Sequence, residues 1–330
     1  MALSRMTYSV AAGEALAAAM RADGRVVALG EDLGRGGVFG QYRFRAADGT
    51  LRTLQQEFGV SRVIDTPISE ANIMGAAVGM ALAGLRPVVE MRVIDFALCG
   101  MDELVNQAAK NRYMFGGQGR VPLVARMPIG LWSASAAQHS QSLEAWFAHI
   151  PGLVVACPAT PQDNHGLLAA ALDCGDPVAY LEHKELWGME GEVDTGAPVP
   201  LGRARIARAG SDLTLVTWSR TLHESLVAAG TLAGEGIEAE VIDLRTLWPW
   251  DREAVLASCA KTGRLLVAHE AVQAAGFGAE VAASVAEAIG CPVRRLGAPR
   301  IPVGYAPTLE REARVDAARI AAAARALLQR

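Results

Sequence analysis

The sequence lacks the features that mark proteins of membranes or nucleic acids. Its 330 residues contain no stretch of 18 apolar residues without charge, so a membrane-spanning helix is not predicted. The 31 Lys and Arg residues form no cluster or stripe among 35 acidic residues, which argues against nucleic acid as a partner. With 51% hydrophobic residues and no low-complexity tract, the chain is predicted to be a well-packed globular protein.

The five cysteines and six histidines also lack the spacing of metal or disulfide sites. No C-x-x-C pair occurs and the histidines show no metal-ligand spacing, so neither a zinc or iron site nor a disulfide framework is predicted. Residues 1–20 are rich in alanine, but Arg5, Glu14 and an amphipathic pattern make them a poor signal peptide. These features predict a cytoplasmic protein.

Short apolar runs alternate with helical patterns, which is typical of a mostly parallel sheet flanked by helices. Strands are predicted at 25–30, 87–91, 121–126 and 153–156, with helices at 9–22, 69–83, 96–114, 142–149 and 161–173. A second set has strands at 212–217, 237–243, 264–268 and 292–296, with helices at 221–234, 251–259, 277–289 and 310–328. Two α/β domains, 1–188 and 201–330, are therefore predicted, joined by an aperiodic linker at 189–200.

One acidic residue lies at the predicted start of an otherwise apolar helix. A strand is predicted to end at Asp65, Pro67 favours extended backbone before it, and Ser69 is a suitable N-cap residue. Glu70 would then lie in the first helical turn. Taken alone, its favourable interaction with the helix dipole, worth under about 1 kcal/mol, explains it better than a catalytic role does.

A histidine between hydrogen-bonding side chains is the second candidate. His139 follows a predicted strand and a loop that contains Pro128 and Gly130. Open α/β sheets bind ligands at the carboxyl ends of their strands, and a histidine there can exchange protons near neutral pH. A loop histidine that only bonds to the backbone is an equally good explanation.

Eight motifs in a fixed order carry a family resemblance along nearly the whole chain. They are LGED (29–32), IDTPISE (64–70), GLRP (84–87), NQAAK (106–110), AQHSQ (137–141), WFAHIPGL (146–153), VIDLRTL (241–247) and YAP (305–307). With them the chain resembles the β subunit of the thiamine-diphosphate-dependent decarboxylating component of 2-oxo acid dehydrogenase complexes. It is equally similar to the related acetoin dehydrogenases. The resemblance implies transketolase-like pyrimidine-binding and C-terminal domains.

The resemblance implies roles for several side chains around thiamine diphosphate. Glu70 would bond to the pyrimidine ring of the cofactor and favour the tautomer that accepts a proton from the thiazolium carbon. Phe96 would pack on that ring, and Glu31 would make a secondary polar contact. Ordinary core packing and a solvated loop acid are the respective alternatives. His139 would handle protons or orient the acyl carrier.

The resemblance also implies that this chain holds only one end of the cofactor. In the superfamily the diphosphate and its magnesium ion are bound by a Gly-Asp-Gly motif followed by Asn, and no Gly-Asp-Gly occurs here. A separate α subunit is expected to supply these contacts in an α2β2 heterotetramer. The second domain would serve dimerisation and dock a lipoyl-bearing acyltransferase core.

A structural potassium site of backbone carbonyl groups is implied as well. By position it would involve Leu123, Ala171, Leu172, Cys174 and Asp176.

Two departures from the usual family pattern bear on the substrate. Arg92 would pair with a substrate carboxylate if it points into the pocket, and otherwise it is a surface or interface arginine. Trp132 would either narrow the pocket or pack against the α subunit. Neither departure identifies the substrate.

The sequence thus predicts the β subunit of an enzyme that oxidatively decarboxylates a pyruvate-like or branched-chain 2-oxo acid and transfers the acyl group to lipoyl. Cleavage of acetoin is the alternative, because residues 112–117 resemble those relatives slightly more closely. A catalytically silent assembly subunit is a rival from another class, against which the intact Glu70, Phe96 and His139 argue. A nucleotide-binding module is disfavoured because no G-x-G-x-x-G opens a helix.

Overall fold

The computed structural model describes residues 3–329, which separate into two compact units. The first unit comprises residues up to Ile129 and Trp146–Leu201, and the second comprises Gly130–Ala145 and the residues from Gly202 onward. In this division residues 130–145 group with the second unit, and residues 189–201 group with the first. Residues 190–193 of the predicted linker form a strand that pairs with residues 4–7, so backbone hydrogen bonds tie them to the first unit.

The elements before Leu201 alternate between strands and helices as the sequence pattern predicts. They are β1 (Ser4–Thr7), α1 (Tyr8–Ala22), β2 (Val26–Gly30), β3 (Arg43–Arg45), β4 (Leu51–Thr53), α2 (Leu54–Phe58), β5 (Val63–Asp65), α3 (Glu70–Leu82), β6 (Arg86–Glu90), α4 (Ile94–Ala97), α5 (Ala109–Met114), β7 (Val124–Arg126), α6 (Glu144–Ala148), β8 (Val154–Ala156), α7 (Pro161–Asp173), β9 (Val178–Tyr180) and β10 (Glu190–Val193). Single 3-10 turns lie at Leu33–Arg35, Leu98–Gly100 and Lys184–Leu186, and a π-helix spans Glu103–Ala108.

Six strands of the first unit form a parallel sheet in the order β8-β9-β7-β6-β2-β5. Gly30 at the end of β2 is in register with Glu90 of β6 on one side and with Asp65 of β5 on the other. Because neighbouring parallel strands end at the same edge, the residues that follow these three strands are brought close together.

The core of the first unit lies between this sheet and the helices that cover it. Leu16 and Met20 of α1 are buried in one cluster with Val26 and Ala28 of β2 and Leu168 of α7. All five residues of β2 are buried, which explains why the strand is a continuous apolar run instead of an alternating one.

A charged pair is fully buried at the centre of the first unit. Two guanidinium nitrogens of Arg126 contact the two carboxylate oxygens of Glu182 at 2.7 and 2.8 Å. Asn164 donates a further hydrogen bond of 3.0 Å to Glu182, and the Arg126 guanidinium lies 4.8 Å from the centre of the Tyr42 ring. A buried ion pair is tolerated only when its geometry is good and its remaining polar atoms are bonded, and this network meets that condition.

The elements of the second unit are β11 (Arg205–Arg208), β12 (Leu213–Thr217), α8 (Thr221–Ala233), β13 (Ala239–Asp243), β14 (Thr246–Trp248), α9 (Arg252–Thr262), β15 (Leu265–Val272), α10 (Gly278–Ala288), β16 (Val293–Ala298), α11 (Pro307–Ala313) and α12 (Ala317–Leu328). Five of these strands form a smaller sheet with the order β11-β13-β12-β15-β16, in which β11 is antiparallel and the other strands are parallel.

Two helices that the sequence predicts as continuous are divided in the structure. The helix predicted at 96–114 is broken up by a 3-10 turn at Leu98–Gly100 and a π-helix at Glu103–Ala108. At Gly100 an added Cβ would lie 3.1 Å from the Met74 side chain, so a larger residue would press on α3. The helix predicted at 310–328 is two helices. The second begins after Asp316, whose side chain accepts a capping hydrogen bond of 2.9 Å from the Arg319 amide.

Candidate functional site

Glu70 is the first residue of α3 and lies just beyond the carboxyl edge of the first sheet. The Thr66 amide donates a hydrogen bond of 3.0 Å to the Gly30 carbonyl, which draws the chain after β5 across the end of β2. Ser69 occupies the N-cap position, as predicted, although its side chain makes no capping hydrogen bond. Glu70 is therefore placed near the free backbone N–H groups of a helix start.

The segment that follows β6 packs closely against the start of α3. A Cβ on Gly100 would lie 3.2 Å from the Glu70 carbonyl oxygen, so only a glycine allows this approach without a shift. Phe96, partly buried in α4, belongs to the same segment. The predicted aromatic and the predicted acid thus lie on chain segments that contact each other.

Glu31 and Arg92 follow the neighbouring strands β2 and β6 and meet at the same edge. The Arg92 Nη1 forms an ion pair with the carboxylate of Asp32 and lies 3.9 Å from the Glu31 Oε2. The Asp65 carboxylate accepts two hydrogen bonds, of 3.0 and 3.1 Å, from the Gly34 amide and so fixes the loop after β2. Asp32 is a site residue that sequence reasoning missed, although its place after a buried strand was a usable signal.

The electrostatics of Glu31 show that these groups influence one another. Burial raises the pKa of Glu31, the Arg92 guanidinium opposes this shift, and the carboxylates of Glu70 and Asp32 reinforce it. Glu31 therefore holds a proton more readily than a solvated glutamate does. Three acids and one guanidinium form an arrangement that can bind a polar ring and exchange a proton with it.

His139 and Trp132 lie together on a loop of the second unit. Both side chains are exposed. The loop contains three non-glycine residues in the left-handed region, Ser133, Ala134 and Ala136, with φ values of 51°, 55° and 63°. This conformation is costly for residues with a Cβ and is concentrated at functional sites, so the loop is a candidate functional element.

Buried side chains of the second unit anchor this loop at both ends. The Leu131 amide donates a hydrogen bond of 2.7 Å to Glu270, and the Trp218 indole donates one of 3.1 Å to Glu144. Trp218 also stacks on His269, with ring centres 5.0 Å apart. Burial raises the pKa of Glu144 to about 7 and lowers the pKa of His269 to about 4. Sequence reasoning missed these anchors because the contacts join distant parts of the chain.

The residues of the implied potassium site all lie in the first unit. Ala171 and Leu172 lie in the last turn of α7, Cys174 and Asp176 follow it, and Leu123 precedes β7. The Leu172 carbonyl accepts a hydrogen bond from the Arg86 guanidinium, and Asp176 pairs with Arg112 Nε at 2.7 Å. Carbonyl groups at a helix C-terminus carry partial negative charge, and here two guanidinium groups already bond to the turn.

Within residues 3–329, no group of three or more His, Cys, Asp or Glu side chains is arranged to hold a metal ion. Across the same residues no helix has the length and apolar character needed to cross a membrane. No disulfide joins the cysteines of this described part.

Comparison with family models and solved structures confirms the predicted fold class. The transketolase pyrimidine-binding domain matches residues 4–189, and the transketolase C-terminal domain matches residues 202–320. A solved split-gene transketolase, described as an inactive β4 tetramer, is similar with a TM-score of 0.81 at 22% identity, covering 98% of each chain. At that identity the similarity concerns the fold alone.

Comparison with curated proteins gives relatives of higher identity. The β subunit of acetoin:2,6-dichlorophenolindophenol oxidoreductase from Cupriavidus necator is 44% identical, with 97% of each chain covered. The β subunit of 2-oxoisovalerate dehydrogenase from Bacillus subtilis is 40% identical, over 99% of this chain and 100% of the relative. The mitochondrial pyruvate dehydrogenase E1 component subunit β-2 of Oryza sativa subsp. japonica is 41% identical, over 94% of this chain and 83% of the relative.

The raised pKa of Glu144 predicts a pH-dependent effect of Glu144→Gln on stability. In the unfolded chain the group ionises near its ordinary pKa of 4.5, whereas in the folded protein it ionises near 7, so its contribution to stability is complete below about pH 4.5 and is lost as the pH rises through about 7. Glutamine cannot ionise and keeps an acceptor for Trp218. The difference in Tm, variant minus wild type, should therefore increase between pH 5 and pH 8.

The matched control is Glu57→Gln, since the Arg21 guanidinium holds the pKa of Glu57 below its usual value. This control should show no such increase. A constant difference in Tm for Glu144→Gln from pH 5 to pH 8 would contradict the assignment of a buried, readily protonated carboxyl group.

Proposed function

This chain belongs to the family of β subunits of 2-oxo acid and acetoin dehydrogenases, and we propose that it forms one half of a thiamine-diphosphate-dependent enzyme of that kind. With an α subunit it would oxidatively decarboxylate a pyruvate-like or branched-chain 2-oxo acid and pass the acyl group to lipoyl. The observation that carries the proposal is the position of Glu70 at the start of α3, beside Glu31 at the carboxyl edge of the sheet.

The residues at this edge fit the pyrimidine end of the cofactor. The Glu70 carboxyl group would share a proton with a ring nitrogen, and Phe96 would offer an aromatic face. The hydroxyl of Thr66 is buried and has no hydrogen-bond partner within the described residues, so it is available to a polar group of a ligand. Thiamine diphosphate, when bound, supplies a carbon nucleophile for the substrate carbonyl. Glu31 would serve as a secondary polar contact.

We assign the proton-handling or carrier-orienting role to His139, because its imidazole is exposed on a loop that holds three non-glycine residues in the left-handed region, a conformation concentrated at functional sites. Trp132 on the same loop is 39% exposed. We propose that it narrows the pocket or meets the α subunit.

Magnesium and the diphosphate contacts are proposed to come from the α subunit. An exposed apolar surface of the first unit supports a partner chain, since Tyr113, Met114 and Phe115 are 92%, 71% and 59% exposed. An α2β2 heterotetramer that delivers acyl groups to a lipoyl-bearing acyltransferase core is the assembly we propose. A cytoplasmic location remains a prediction from the sequence.

Acetoin cleavage is the second candidate function. Two acetoin:2,6-dichlorophenolindophenol oxidoreductase β subunits are 44% and 42% identical to this chain. The acidic side chains around Arg92 also favour an uncharged substrate over an anionic one. A catalytically silent assembly subunit stays the rival from another class.

A substrate panel on the assembled enzyme tests the proposal. This chain is co-expressed with its α subunit, supplied with thiamine diphosphate and magnesium, and given pyruvate, branched-chain 2-oxo acids or acetoin with an artificial electron acceptor. We expect reduction of the acceptor with at least one 2-oxo acid, and none by the isolated chain, which lacks the diphosphate contacts. Turnover of acetoin alone would favour the second candidate, and turnover by the isolated chain would refute the split site. No turnover with any substrate would favour the assembly subunit.

We also propose a structural potassium ion beside the turn after α7, held largely by backbone carbonyl groups. The residues that would hold it are Leu123, Ala171, Leu172, Cys174 and Asp176. The expected result is a Tm a few degrees higher in potassium chloride than in choline chloride at equal ionic strength, because a ligand that binds only the folded state stabilises it. Arg86 and Arg112 lower the affinity for a cation, so the shift should be small. Identical melting curves in the two salts would rule out the ion.

A further inference from the structure

Arg92 lies among acidic side chains at the edge where the cofactor is proposed to bind. It follows β6 by two residues and reaches across to the loop after β2, where its guanidinium bonds to Asp32 and lies 3.9 Å from Glu31. Its side chain is 37% exposed, while that of Glu31 is 13% exposed. The guanidinium is therefore directed along the sheet edge and not simply out into solvent.

The shape of the loop after β2 depends on this contact. Asp32 has a φ of 60° in the left-handed region, and its carbonyl accepts a hydrogen bond of 3.0 Å from the Gly37 amide. Aspartate tolerates that region better than most residues, yet the conformation still needs support from its surroundings. The ion pair with Arg92 supplies such support from the neighbouring strand.

The charges around Glu31 come from each of the elements that surround it. Asp32 lies on its own loop, Arg92 follows β6, Glu70 begins α3, and Asp65 ends β5 with its carboxylate on the Gly34 amide. Glu90, at the end of β6, is buried and accepts a hydrogen bond of 3.1 Å from Gln41. Among these groups Arg92 carries the positive charge that opposes the mutual repulsion of Glu31, Asp32 and Glu70.

We propose that Arg92 is a positioning residue, which holds the Glu31–Asp32 segment beside Glu70 and supplies its counter-charge, and that it does not bind a substrate carboxylate. This inference rests on the proposed function, because it assumes that Glu31 and Glu70 face the cofactor. Three carboxylates surround the one guanidinium, so its charge is already engaged and the cluster offers no net positive charge to a substrate carboxylate. The sequence offered a partner for a substrate carboxylate or a surface or interface arginine, and the ion pair with Asp32 supports the positioning role instead.

The test compares Arg92→Gln and Arg92→Lys in the assembled enzyme with the wild type. Loss of a half-exposed ion pair costs up to about 1 kcal/mol, so Arg92→Gln should weaken thiamine diphosphate binding roughly two- to fivefold in a calorimetric titration. Without the guanidinium the pKa of Glu31 should rise further, and the acid limb of the kcat/KM profile should move to higher pH. Arg92→Lys keeps the charge and should restore both properties in large part.

The matched control is Arg5→Gln, which removes an exposed arginine that pairs with Glu190 at 2.9 Å in the same unit. It should leave cofactor affinity and the pH profile unchanged. An Arg92→Gln enzyme with unchanged affinity and pH profile but a raised KM for 2-oxo acids alone would overturn the proposal in favour of substrate binding. Failure of the wild-type enzyme to bind the cofactor would instead refute the proposed function itself.

Discussion

The parallel alignment of β5, β2 and β6 is the constraint on which the candidate site depends. Gly30 is in register with Asp65 on one side and with Glu90 on the other, so the chain leaves all three strands at the same edge. Glu31, Arg92 and the start of α3 are thereby brought together from parts of the chain that are far apart in sequence. A shift of one residue in any of these strands would turn every side chain to the other face and separate the group.

The ionisable groups of this protein lie in three different environments. Arg126 and Glu182 are fully buried and bonded to each other at the centre of the first unit. Glu144 is buried without a counter-charge, and its carboxyl group accepts a proton up to near neutral pH. The acids at the sheet edge remain partly solvated and share Arg92. The buried groups thus belong to the scaffold, whereas the acids at the sheet edge stay accessible for proton exchange with a ligand.

Much of the scaffold could be predicted because its strands are apolar runs and its helices begin at recognisable residues. The predicted helix at 161–173 is confirmed, since Pro161 opens it and Thr160 accepts a capping hydrogen bond of 3.1 Å from the Asp163 amide. Strand β10 was missed because Glu190–Val193 has no apolar pattern and forms only through pairing with β1. The ion pair of Arg92 with Asp32 could not be predicted from the sequence either, because it depends on the conformation of the loop after β2.

Glu70 is the residue proposed to hold a proton and exchange it with the pyrimidine end of the cofactor. The most direct measurement is hydrogen–deuterium exchange at the reactive carbon of thiamine diphosphate in the assembled enzyme, with Glu70→Gln against wild type. General acid–base assistance contributes about 100- to 10,000-fold, so exchange should slow by at least roughly 100-fold in the variant while the cofactor still binds through the α subunit. Exchange at the wild-type rate, with the cofactor bound, would contradict the account.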